Sequence, residues 1–187
     1  MAGAVFIEGE DINLRTVEEE DIEFLRDGVN HPEVRVHMGN RLPQNLDNEE
    51  KFFEEQISDE ETVNLLITKD NERLGLISLT PEGHSAEKMA QIGIWLHPEH
   101  HGNGYGTEAS RLITDYGFKQ LNYHRIFARA HADNQPSCRI WEKLGFEKEG
   151  EFRDHTYTQG EYKDVVYYGV LKVNGSDRDR EQVSGAG

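Results

Sequence analysis

Little in this 187-residue chain would staple or anchor it. It has one cysteine, Cys138, so no disulfide can close within the chain, and a reducing, cytoplasmic setting is expected. No run of eighteen apolar residues exists, which excludes a helical membrane span. The opening MAGAVFIEGE already carries acids and lacks a basic region followed by an apolar one, so no export leader is expected. Basic residues are scarce: 20 Lys and Arg stand against 36 Asp and Glu, for a net charge of −16. Such a chain repels a phosphate backbone, and nucleic acid is not an expected partner. Two readings of the acidity remain, attraction of cationic substrates and solubility in concentrated salt. The acids are spread over the whole chain and Arg outnumbers Lys, which favours the second. The length suits one well-filled core, expected over residues 1–173. Residues 174–187 are almost free of apolar side chains and read as a disordered tail.

What the chain does have is glycine at one junction. Gln91 to Leu96 (QIGIWL) reads as a buried strand, while Ala109, Leu112, Ile113 and Tyr116 recur at helical spacing. Between them lies His97-Pro98-Glu99-His100-His101-Gly102-Asn103-Gly104-Tyr105-Gly106-Thr107-Glu108. Glycines at 102, 104 and 106 allow positive φ and let successive backbone N–H groups converge. The helix that follows adds its own unpaired N–H groups and the positive end of its dipole, so the turn predicts an anion pocket. No lysine sits near it, which excludes a P-loop, and Thr107 falls where a dinucleotide fingerprint needs its third glycine.

The rest of the chain alternates strand and helix patterns. Strands are predicted at Asp11–Val17, Val63–Thr68, Arg73–Leu79, Met89–Leu96, His124–His131, Phe146–Phe152 and Val165–Lys172. Thr16 and Glu19 are spaced as a capping box for a helix carrying Ile22, Leu25 and Val29, which His31-Pro32 should interrupt. Helices are also expected at Asn48–Ile57, from about Thr107 to Gln120, and from Pro136 to a Gly145 cap. This is an α+β order around one central sheet, while pairing is beyond periodicity.

Gly102-Asn103-Gly104-Tyr105-Gly106-Thr107-Glu108-Ala109 resembles the pyrophosphate loop of the GCN5-related N-acetyltransferases, closest to the branch acting on ribosomal-protein N-termini. The resemblance continues through Asn134-Gln135-Pro136-Ser137 and Trp141-Glu142-Lys143-Leu144-Gly145-Phe146, and spans roughly Asp11 to Lys172. It implies a single domain with a mixed sheet of about seven strands, splayed in the middle to hold the pantetheine arm of acetyl-CoA. It also implies direct acetyl transfer to a primary amine, either a protein N-terminus or a small amine or polyamine, by a monomer or homodimer. A non-catalytic acyl-CoA-binding module of the same fold is the alternative.

Residue by residue, the resemblance puts the cofactor at Gly102, Asn103, Gly104, Tyr105, Gly106 and Thr107, with His101 where the family has Gln or Arg. It assigns an oxyanion N–H near Ile94 or Trp95 and the pantetheine amide to Asn134. The split first helix would border the acceptor through Arg35, His37 and Met38. Two departures matter. Trp141 replaces a tyrosine acid, and indole cannot supply a proton near neutral pH, which leaves Ser137 as the candidate donor or as a helix-start hydroxyl. Gln91 replaces a glutamate base, which leaves Glu82, His84 or Glu87 through water. His97, His100 and His101 lack a convincing fourth ligand, and no metal is expected.

Overall fold

In strands, successive side chains point to opposite faces, so the run Leu65-Leu66-Ile67 can be apolar throughout only if both faces are covered. That is how this fold is built. The computed structural model describes residues 3–39, 42–57, 59, 61–84 and 87–172; the predicted tail lies outside them. Leu65, Ile67 and Ile77 are buried in one core with Ile113, Ile126 and Trp141. Leu66 and Leu76, one residue away in each strand, are buried on the other side with Leu25, Val29, Val34 and Trp95.

The elements in chain order are β1 (Val5–Glu8), β2 (Asn13–Thr16), α1 (Ile22–Asn30), α2 (Pro32–Met38), α3 (Leu46–Phe52), β3 (Val63–Lys69), β4 (Glu72–Glu82) and β5 (Met89–Leu96). They continue with α4 (Tyr105–Lys119), β6 (Arg125–His131), α5 (Gln135–Lys143), β7 (Glu147–Thr158) and β8 (Glu161–Leu171). The sheet order is β1-β2-β3-β4-β5-β6-β8-β7, antiparallel everywhere except between β5 and β6. This is the expected α+β architecture with eight strands rather than seven. The extra one, β1, is a short, mostly exposed edge whose four residues carry too little alternation to be read.

Several boundaries moved for local reasons. The capping box is Glu18 with Asp21, not Thr16 with Glu19: the Glu18 N–H donates to Asp21 Oδ2 at 3.0 Å. Thr16 instead donates its hydroxyl to Glu18 Oε1. The helix expected over 48–57 ends at Phe52 and widens into a looser turn over Phe53–Ile57. Strand β4 runs on through Thr80, Pro81 and Glu82, which pair with Gln91, Ala90 and Met89. The interruption at His31-Pro32 is present: α1 stops at Asn30, and His31 caps α2 by accepting the Glu33 N–H on Nδ1.

Candidate active site

The sheet comes apart at its one parallel pair. Met89 to Ile92 of β5 pair with Arg125 to Ala128 of β6. Beyond that point Gly93–Leu96 pair only with β4, and Arg129–His131 only with β8. The inner edges of the two strands diverge, and main-chain groups there have no ladder partner. The split opens into a cleft of about 1010 Å³, walled by α2, the turn after β5, the starts of α4 and α5, and the β7–β8 turn.

At its mouth, Gly102 and Gly104 have φ of +79° and +87°, where a side chain would be strained. Gly106 is different from the expectation: it is the second residue of α4, without positive φ. Its missing side chain leaves room for Ile140, whose Cδ1 would lie 3.0 Å from an added Cβ. Helix α4 has no side-chain cap, and its first intrahelical bond runs from the Glu108 N–H to the Gly104 carbonyl at 3.1 Å. The N–H groups of Tyr105, Gly106 and Thr107 therefore have no acceptor within the helix, and all three residues line the cleft.

The neighbouring side chains brace this turn. Asn103 donates Nδ2–H to the carbonyls of His100 and His101, both at 3.2 Å, and unlike its neighbours does not line the cleft. His101 does line it, with Nε2 2.9 Å from the Leu96 carbonyl. A carbonyl only accepts, so this contact places the ring proton on Nε2. Tyr105 accepts a hydrogen bond from Lys69 Nζ on β3. Ile94 and Trp95 line the split, and the Trp95 indole stacks on Phe24 of α1 at 5.7 Å between centroids. Gly28 permits that contact, since a Cβ there would lie 2.2 Å from the indole.

On the far wall, Asn134 Oδ1 accepts the Ser137 N–H at 3.3 Å and so caps α5. Ser137 is half-buried in the cleft lining, and its hydroxyl has no partner among the described residues. Cys138, one position on, is turned into the core with its thiol toward the His131 carbonyl. Trp141 is only 1 % exposed and packs on Phe146, away from the cleft.

The sequence-based choices for a base are not in the cleft. Gln91 sits where β5 and β6 are still paired, opposite Thr80 and Phe127, and Glu82, His84 and Glu87 belong to the same far end of β5. The titratable groups the structure brings together are others: His37 of α2, His131 at the end of β6, Asp133 just after it, and Lys163 of β8. The His37 and His131 rings are 5.6 Å apart, and Lys163 Nζ lies 2.7 Å from Asp133 Oδ2 while also pairing with Glu161. Burial holds the His131 ring below the usual histidine range, and the neighbouring His37 pushes in the same direction. His37 is likewise lowered by desolvation. The Lys163 hydrogen bond holds the Asp133 carboxyl below its ordinary value. His37 was visible from the broken first helix; His131 was not, because strand alternation points it outward, and its contact with His37 of α2 is a tertiary one.

An uncapped helix start at the mouth of a split sheet offers an anion site beside unpaired main-chain groups. Residues 11–147 match the acetyltransferase (GNAT) domain model, and the chain belongs to that family. It is an N-acetyltransferase, with acetyl-CoA as the donor. Spermidine N(1)-acetyltransferase of Escherichia coli (strain K12) is 26% identical over 155 residues, 83% of each chain. The uncharacterised N-acetyltransferase p20 of Bacillus licheniformis is 30% identical over 169 residues, 87% of this chain and 94% of that one. The solved spermidine N-acetyltransferase of Vibrio cholerae, in complex with CoA and spermine, superposes with a TM-score of 0.81. It is 24% identical, covers 87% of this chain and 96% of its own, and shows the shared fold. Among the described residues no helix is long and apolar enough to cross a membrane.

Proposed function

We propose that the cleft seats acetyl-CoA with its pyrophosphate on the free N–H groups at the start of α4 and its pantetheine arm between β5 and β6. The observation that carries this is the coincidence of the uncapped α4 start with the point where the two strands part. The helix end supplies positive partial charge, and the split supplies unpaired main-chain groups for an extended amide-bearing arm. The thioester then lies near Ile94 and Trp95, where an inner-edge N–H meets the oxyanion as charge develops. Ser137 offers a hydroxyl in the cleft to the departing thiolate, and Asn134 faces the arm while capping α5. Positioning supplies much of the rate, with an upper bound of about 7–11 kcal/mol from alignment alone.

The acceptor is a primary amine, and the charge of the cleft favours one with a single ammonium over a polyamine. Among the described residues two carboxylates, Glu33 and Asp133, line it, against Arg129, Arg139, Lys143 and Lys163. Asp133 is already committed to Lys163, which leaves Glu33 alone for any further cation. In a chain of net charge −16 this local excess of base stands out. A protein or peptide N-terminus fits that balance, because it brings one positive charge.

Thiol release from acetyl-CoA tests this with an alanine-initiated tripeptide amide and spermidine as acceptors. The expected result is turnover with both and a higher kcat/KM for the peptide. A kcat/KM higher for spermidine would overturn the charge argument, and no release with either would overturn the whole assignment.

A further inference from the structure

Resting on that reading of the cleft, we infer that His131 is the group that takes the proton from the acceptor ammonium. The amine must be neutral to attack, so a base is needed, and none of Gln91, Glu82, His84 and Glu87 lines the cleft. His131 has the placement such a base requires. It is the last residue of β6, just past the point where β6 leaves β5, and lines the cleft together with Ser137. It is 6 % exposed, and among the described residues its ring makes no hydrogen bond. Neither ring nitrogen is among the buried atoms left without a partner, so the ring keeps an opening to the cleft. A buried imidazole with free nitrogens and one open side is poised to exchange a proton with something that enters.

The groups facing the ring support this role. His37 approaches from α2 at 5.6 Å between centroids. Asp133 follows from the turn into α5, and Lys163 reaches in from β8 with Glu161 behind it. Arg129 projects from the same face of β6. Asp133 favours the protonated ring, while Lys163, His37 and burial favour the neutral one. Burial is the largest of these effects, so the balance favours the neutral imidazole, the form able to accept.

The step balances without any further reactant. The ammonium gives one proton to a His131 ring nitrogen, which becomes imidazolium. The freed lone pair adds to the thioester carbonyl, whose π electrons move to oxygen. The tetrahedral adduct collapses, the C–S bond breaks, and the CoA thiolate takes a proton from Ser137, which is restored by the second proton leaving the new amide nitrogen. His131 finally returns its proton to solvent.

The test is the pH dependence of kcat at saturating acetyl-CoA, with the alanine-initiated tripeptide amide and with spermidine. The wild type should lose rate at low pH along a limb lying below the usual histidine pKa. His131→Gln, which can hydrogen-bond but not accept a proton, should turn over roughly a hundredfold to ten-thousandfold more slowly and lose that limb. Its thermal stabilisation by acetyl-CoA should remain. Asp133→Asn should move the limb to lower pH and Lys163→Met to higher pH, opposite shifts that a structural histidine would not produce. A limb that persists unmoved in His131→Gln, or a wild-type rate in that variant, overturns the inference while leaving the acetyltransferase assignment intact. Absence of thiol release by the wild type with both acceptors would instead remove the assignment and this role with it.

Discussion

Two alanine substitutions, two residues apart, should separate the anion pocket from the packing beneath it. Gly104 is the cap of α4 with φ +87°, and an added Cβ would meet no protein atom within 4 Å. Alanine there suffers only the left-handed backbone, a cost of about 1–2 kcal/mol. At roughly 2–4 °C per kcal/mol for a chain of this size, the apo protein should melt roughly 2–8 °C lower. The methyl group also occupies open space at the mouth of the cleft, where a phosphate would approach the N–H groups. Losing one charge-assisted hydrogen bond is worth about 1.5–3 kcal/mol, so acetyl-CoA should bind roughly ten- to a hundredfold more weakly. Gly106→Ala places its methyl 3.0 Å from Ile140 Cδ1, the movable end of a side chain. Up to about 1 kcal/mol of helix propensity offsets that crowding, so stability should barely change and affinity should fall less than at Gly104. Calorimetry of acetyl-CoA binding and thermal melts of both apo variants supply the numbers. Full affinity in Gly104→Ala despite a lower melting temperature would refute an anion pocket at this turn.

Ser137→Ala should lower kcat by about ten- to a hundredfold with little change in acetyl-CoA affinity, because a CoA thiolate leaves with only modest help; an unchanged kcat would return this hydroxyl to a structural part. Stability should also depend on pH through His131. Its folded-state pKa is depressed, so the unfolded chain binds the proton more readily, and stability is full above about pH 6.5 and falls as the solution is acidified below it. Denaturant melts of the apo protein across that window should show the fall, and His131→Gln should flatten it; a fall of equal depth in the variant would assign it to other groups.

Sequence alone placed most features whose cause is local, though not the capping box, which fell on Glu18 and Asp21. The strand at VNLLIT, the His31-Pro32 break and the Gly145 end are each decided by neighbours within a few residues, and each is where the pattern put it. The glycine turn belongs with them, since positive φ at Gly102 and Gly104 follows from the residue type. Gly106 looked the same in the sequence but serves α4–α5 packing, which depends on Ile140, far along the chain. The edge strand β1 was missed because its order comes from pairing with β2 rather than from its own four residues. Glu82, His84 and Glu87, the candidates for a water-relayed base, stand outside the cleft lining for a related reason. Gln91 lies only three residues before Ile94, yet β5 and β6 are still joined there and the cleft has not opened. His131 and His37 meet through a tertiary contact, and strand periodicity gives an outward side chain no address. Local conformation was therefore legible in the residues themselves, while the composition of the cleft was decided by where two parallel strands cease to pair.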